Sequence, residues 1–232
     1  MAESDADLYE LRIYAIAPGR LADMEARFRN DICKLFPRHG IRVIGCWGAL
    51  AAPRMPTFVY LMRWSDLAER NAAFASFVAD PDWHETRART NGASELVEHY
   101  DIQFLRALDS SGIDEPMALQ KEGVFELTLY AAANGRAAQM REALLEQEIP
   151  RRTRAGVSTV AAFEAITGPR LPSVLSLLSW PDTETWQRAQ TGIDLGPLAE
   201  AQSECGTGER YVLGHANRFL LRPVDVNWRF GG

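Results

Sequence analysis

Lysine is almost missing from this 232-residue chain. Only Lys34 and Lys121 occur, and arginine carries the rest of its 25 basic residues. Schiff-base chemistry therefore has few places to happen. Cysteine is scarce too. Cys33, Cys46 and Cys205 are odd in number and widely spaced, which excludes a disulfide framework. No CxxC pair offers a zinc site. Such thiols fit a reduced, cytoplasmic protein. No apolar run approaches the roughly 20 residues of a membrane span. Met1 to Asp7 is acidic and has no apolar core, so no signal peptide is read there. Positive charge is not in surplus: 31 acidic residues leave a net charge of −6. That excludes a general affinity for nucleic acid or an anionic membrane. The motifs GxxxxGK[ST], HExxH and GxSxG are all absent.

What is present is an ordinary globular composition, 47% hydrophobic and 24% charged, and a repeat. At an offset of 116 residues, Glu10-Leu11 meets Glu126-Leu127, Tyr14 meets Tyr130, and Gly19-Arg20 meets Gly135-Arg136. Pro53-Arg54 meets Pro169-Arg170, Trp64 meets Trp180 and Asp66 meets Asp182. Between residues 10 and 66, 18 of 57 positions are identical without a gap. Chance gives about one in fifteen. The match returns with His99 on His215 and Leu105-Arg106 on Leu221-Arg222. The sequence reads as a tandem duplication.

Each copy has the same pattern. Leu8 to Ala17 alternates and reads as a strand. Leu21, Met24, Phe28, Ile32 and Leu35 follow helical spacing. Ile41 to Leu50 and Thr57 to Trp64 read as strands. Asp66 caps a helix, and Asp80-Pro81-Asp82-Trp83 breaks it and starts another. Glu98 to Leu105 closes the copy. The order βαββαβ is the ferredoxin-like unit, an antiparallel sheet with helices on one face. Two such units can close one barrel. The expected fold is therefore α+β: a loose terminus over residues 1–7, repeat one over 8–108, and a linker over 109–122. A diverged repeat two covers 123–223, and a tail covers 224–232.

Tyr9-Glu10-Leu11-Arg12-Ile13-Tyr14, Pro18-Gly19-Arg20 and His39-Gly40-Ile41-Arg42-Val43-Ile44-Gly45-Cys46-Trp47 resemble the NIPSNAP family. So do Trp64-Ser65-Asp66-Leu67-Ala68-Glu69-Arg70 and Asp80-Pro81-Asp82-Trp83. The resemblance covers copy one and, more weakly, copy two. It implies a dimeric α+β barrel fold and no particular activity. Relatives of that fold include heme-degrading and cofactor-free monooxygenases, which is analogy of fold.

Strand one is expected to turn Tyr9, Leu11 and Ile13 to the helices. Glu10, Arg12 and Tyr14 would then point into the barrel. One register sets Tyr14 beside His99, Arg12 beside Asp101 and Glu10 beside Gln103. In copy two it sets Tyr130 beside His215, Thr128 beside Asn217 and Glu126 beside Phe219. Residues shared by both copies serve the fold. Residues of copy one alone mark a site: Arg12, His39, Trp47, Tyr60, Arg63, Trp83 and His84. Arg12, Tyr60 and His84 are the catalytic candidates, for anion stabilisation and acid–base work. Glu10, Tyr14, Trp47, Trp83 and His99 are the binding candidates. His84 is placed facing the sheet near Arg12. His39 is expected to bond the last carbonyls of its helix. The run Arg151-Arg152-Thr153-Arg154 is expected on a solvated helix end.

Three function classes follow. The first is a cofactor-independent enzyme of monooxygenase or isomerase type on a small apolar molecule. It requires an apolar cavity in copy one with Arg12 or His84 on its wall. The second is a non-catalytic binding or interaction module with an apolar surface patch, formed by Trp228 and Phe230. The third is a heme protein with His84 as ligand. No metal site is expected. The partner expected is a small molecule, with outer helices as the surface for any homodimer. Residues 1 to 116 carry 13 basic and 18 acidic residues, net −5, and the remainder 12 and 13, net −1. The halves differ in charge, histidines and aromatics, which points to the first.

Overall fold

A computed structural model describes residues 7–108, 123–154, 156–192 and 212–228. The expected linker, the first six residues, Cys205 and the glycine-rich stretch after Gly192 lie outside the described residues, as does Phe230. The first half runs β1 (Leu8–Ile16), α1 (Leu21–Arg27), a widened π turn (Phe28–Ile32), α2 (Cys33–Arg38), β2 (Arg42–Ala51) and β3 (Thr57–Trp64). It continues with α3 (Leu67–Ala79), α4 (Pro81–Asn91) and β4 (Val97–Ala107). The second half follows with β5 (Val124–Ala132), α5 (Ala137–Glu142), another π turn (Ala143–Glu148), α6 (Ile149–Arg154) and β6 (Ser158–Ala165). Then come β7 (Ser173–Trp180), α7 (Thr183–Gly192) and β8 (Val212–Pro223).

Local chemistry sets several of these boundaries. The Glu69 amide donates to Asp66 Oδ1 at 2.7 Å, which caps α3. Asp80 accepts from the Asp82 amide at 2.9 Å, with Pro81 in the first turn of α4, where its missing N–H costs nothing. Gly40 and Gly156 have φ of 71° and 90°. This left-handed turn ends each first helical stretch and feeds the next strand.

The eight strands close a barrel in the order β1-β3-β2-β8-β5-β7-β6-β4, and every pairing is antiparallel. The fold is α+β with one antiparallel sheet. The offset of 116 also relates the ladders. Glu10 lies opposite Met62 and Phe104, and Glu126 opposite Leu178 and Leu220.

The strands are buried on both faces, so there are two kinds of core. Inside the barrel, Tyr9, Leu11 and Ile13 pack with Trp47, Leu61 and residues of the other half. Tyr9 meets Phe163 at 5.1 Å between ring centroids, and Trp47 meets Phe125 at 5.5 Å. Outside, Tyr14, Tyr60, Met62 and Trp64 pack under Met24, Phe28, Ile32, Phe36 and Phe77 from the helices. This reverses the expected facing of β1: Tyr9, Leu11 and Ile13 face inward, and Glu10, Arg12 and Tyr14 face the helices. With apolar layers on both sides, alternation alone does not say which face is which.

The register of β4 differs by one residue from expectation. Tyr14 lies opposite Tyr100, Arg12 opposite Ile102 and Glu10 opposite Phe104. A one-residue slip flips every side chain, so His99, Asp101 and Gln103 fall on the barrel side. In the second half Thr128 lies opposite Arg218 and Glu126 opposite Leu220. An irregularity between Leu129 and Ala131 breaks the expected Tyr130–His215 pair. The tail is tucked in: Val224 and Val226 are buried in the helix-side core, and Trp228 packs on it 6.4 Å from Phe28. That removes Trp228 from the expected surface patch. Among the described residues no helix is long and apolar enough to cross a membrane.

Candidate functional site

The outer face of the first-half sheet carries a buried polar cluster. Glu10 of β1 is fully buried. It accepts from Arg12 Nε at 2.8 Å, from Arg70 Nε and Nη2 at 3.0 Å, and from Trp64 Nε1 at 3.1 Å. One carboxylate thus holds two guanidiniums, one from its own strand and one from α3. Arg12 then reaches along the sheet. Its Nη1 donates to the Tyr14 hydroxyl at 2.9 Å and to the Tyr60 hydroxyl at 3.2 Å. The two hydroxyls are 2.6 Å apart. Burial alone would lower the Arg12 pKa, but Tyr60, Tyr14 and Glu10 outweigh it and hold the guanidinium charged. Burial pushes the Tyr60 phenol well above its usual range, with Arg12 opposing in part. Both groups keep their protons at neutral pH.

Above this floor lies a cavity of about 190 Å³ between the sheet and the helices. Arg12, Tyr14 and Tyr60 line its floor, Phe28 and Phe36 one wall, and Phe74, Phe77 and Trp83 another. Tyr100 of β4 and Arg27 of α1 also line it. Phe74 lies against the Arg12 guanidinium at 4.2 Å, which adds a cation–π contact. Drug-sized pockets run from about 300 Å³ upward, so this space suits a molecule of one or two rings.

The second half keeps the carboxylate and changes the residues around it. Thr128 stands where Arg12 does, Ser176 where Tyr60 does, and Trp186 where Arg70 does. Trp186 Nε1 donates to Glu126 Oε2 at 2.8 Å. The cation comes from the helix side instead. Arg152, at the position of Phe36, is buried with Nη1 3.5 Å from Glu126 and Nε 2.9 Å from Glu148. The basic run was expected on a solvated helix end, and its Arg152 is a core ion instead.

Of the residues singled out from the sequence, the structure brings Arg12, Tyr14, Tyr60 and Trp83 together on the cavity wall, with Glu10 beneath them. The others lie elsewhere. Trp47 is buried inside the barrel. His84 is exposed and does not line the cavity: α4 turns Trp83, Arg87 and Asn91 inward, at spacings of four, and His84 outward. His99 is exposed at a second, polar cavity of about 200 Å³ on the barrel side, with Asp101, Arg54 and Asn217. His39 does not bond its helix carbonyls. It joins α2 to the next layer, with Nε2 2.7 Å from Asp80 and Nδ1 2.8 Å from Ser76. Arg63 pairs with Asp7 at 2.5 Å. Cys33 and Cys46 are buried. Burial pushes the Cys46 thiol up, against Arg29, so it is no nucleophile.

Sequence reasoning missed Arg27, Phe28, Phe36, Arg70, Phe74 and Tyr100. The signal existed. At the offset of 116 these residues meet Ala143, Leu144, Arg152, Trp186, Gln190 and Ala216, so each is as one-sided as Arg12. Heme held by a histidine does not fit the donors present. No histidine lines the cavity, so His84 supplies no axial ligand there.

The fold is similar to that of α+β barrel proteins. A proposed monooxygenase from Fusobacterium nucleatum superposes with a TM-score of 0.55 at 9% identity, over 94% of this chain and 93% of that one. An anthrone oxidase-like protein gives 0.54 at 10% identity, over 97% and 96%. At such identity the likeness is one of fold alone. Residues 9–111 match the NIPSNAP family model. An uncharacterized NIPSNAP-like domain protein from Burkholderia xenovorans is 24% identical over 44% of this chain and 84% of its own, with a TM-score of 0.38. No curated protein matches the chain.

Proposed function

We propose that the chain is a tandem pair of ferredoxin-like units in which the first unit carries the function. Its cavity binds a small, flat, largely apolar molecule and acts on it without a cofactor, as a monooxygenase or isomerase does. The equal ladders of the two halves support the duplication. The buried thiols Cys33 and Cys46 support a reducing, cytoplasmic setting.

One observation carries the reading of the site. Arg12 Nη1 donates to both tyrosine hydroxyls, and one hydroxyl donates to the other. One phenolic hydrogen is then left without an acceptor among the described residues, on the wall of an aromatic cavity. A buried donor without a partner costs about 1–3 kcal/mol, and a ligand oxygen placed there recovers it. The same hydrogen bond strengthens when that oxygen gains negative charge, with the Arg12 cation directly behind it. The site therefore favours ionisation of a phenol, enol or ketone, the proton passing to solvent water. The resulting anion is the species that reacts with dioxygen in a cofactor-free oxygenation, or takes a proton from water at another carbon in an isomerisation.

The test is to incubate the full chain with small phenols and enolisable ketones in D2O, following substrate deuteration and oxygen uptake. We expect turnover in the wild type and a loss of about a hundredfold in Tyr60→Phe, the usual cost of removing one oxyanion donor. Binding without deuteration or oxygen uptake makes the chain a non-catalytic binder. An absence of binding overturns the reading.

A further inference from the structure

Around the cavity the charge is opposite to that of the chain. The protein is net −6, yet arginines face this space. Arg12 and Arg70 share one carboxylate, Glu10, so that trio retains one positive charge. Arg87, at the rim, is matched by Glu95 at 2.9 Å. Arg27 makes no ion pair among the described residues, and the nearby carboxylate that acts on it, Asp31, is held by Arg89 at 2.6 Å. It is buried, and its Nε donates to Thr90 Oγ1 at 2.7 Å and its Nη2 to Asn91 Oδ1 at 2.6 Å. Both partners are neutral. Its Nη1 makes no hydrogen bond among the described residues, and its guanidinium lies 5.7 Å from the centre of the Trp83 ring. Burial pushes its pKa down to about 10, with nearby Arg20 and Arg87 adding to the shift. It is therefore still charged at pH 7. A buried cation without a direct ion-pair partner is expensive to keep, and here it faces open space.

The cavity thus has two polar poles joined by aromatic surface. At one pole Arg12 stands behind the tyrosine pair and its spare phenolic hydrogen. At the other, Arg27 projects from α1 beside Trp83. Tyr14 and Tyr100 bridge the two with ring centroids 4.9 Å apart. We infer that the ligand is a small aromatic carboxylic acid with a second oxygen on its ring, its carboxylate on Arg27 and its ring oxygen on Tyr14 and Tyr60. The ring lies among Phe28, Phe74 and Trp83, where edge and face contacts to aromatic side chains are favourable. A carboxylate beside Arg27 supplies the missing ion-pair partner and can be held by two parallel N–H bonds. This rests on the reading of the cavity as a small-molecule site and adds the chemical class.

The test compares 4-hydroxybenzoate with its neutral isostere 4-hydroxybenzamide and with 4-cresol, by calorimetric titration of the full chain. The acid is expected to bind at least tenfold tighter than either neutral compound. Arg27→Met should erase that preference and leave 4-cresol within twofold of its wild-type affinity, and Arg27→Lys should retain part of it. Equal affinity for acid and amide in the wild type overturns the carboxylate assignment and leaves the cavity reading standing. If none of the three compounds binds, both fall. A tenfold preference that survives Arg27→Met also overturns the assignment. Should Arg27→Met fail to fold, the wild-type acid-against-amide comparison decides.

Discussion

Glu10→Ala should destabilise the protein by about 3–5 kcal/mol, the range for breaking a buried ion pair from one side. Glu10 is fully buried and accepts from Arg12, Arg70 and Trp64. Its removal leaves two guanidiniums and an indole N–H in a site that water does not reach. For a domain whose total stability is about 5–15 kcal/mol, that is a large fraction. Urea unfolding at pH 7 measures it directly. The contrast is Arg42→Ala, which breaks an ion pair with Glu69 whose partners are 50% and 35% exposed. Exposed pairs contribute about 0–1 kcal/mol. A Glu10→Ala loss no larger than the Arg42→Ala loss would show that the cluster is not the anchor of this half.

Arg152→Met should cost about as much, roughly 3–5 kcal/mol, for the opposite reason. Glu148 keeps Arg151 at 3.0 Å, but among the described residues Glu126 is left with the Trp186 N–H and the Thr128 hydroxyl. Glu126 becomes a buried carboxylate without a cation. Urea unfolding at pH 7 measures the cost: a loss no larger than that of Arg42→Ala contradicts the role of Arg152 as the counter-ion of Glu126.

The architecture was legible because a period of 116 residues and two sets of alternating strands leave few alternatives. Tyr14 matching Tyr130, and Trp64 matching Trp180, carry that period. The facing of β1 was not legible. Tyr9 and Tyr14 are both buried aromatics on opposite faces, so hydrophobicity cannot tell them apart. The polar Glu10 and Arg12 looked suited to a barrel interior, but their partner Arg70 comes from α3, 60 positions away. The site was partly legible. Comparing the halves picked out Arg12, Tyr60 and Trp83. It also picked out His84, which a helix turn of about 100° per residue sends to the surface while its neighbour Trp83 lines the cavity. Arg27 and Phe74 carry the same one-sided signal and look like ordinary helix surface and core.

The interior of the barrel belongs to both halves. Tyr9 rests on Phe163 and Trp47 on Phe125, so neither half can leave without exposing the aromatic rings of the other. The chain therefore behaves as one thermodynamic body and should melt in a single cooperative transition. A ligand held under the helices of the first half then raises the melting temperature of the whole chain through mass action. Through the shared interior the second half gains heat resistance from an occupant it does not touch.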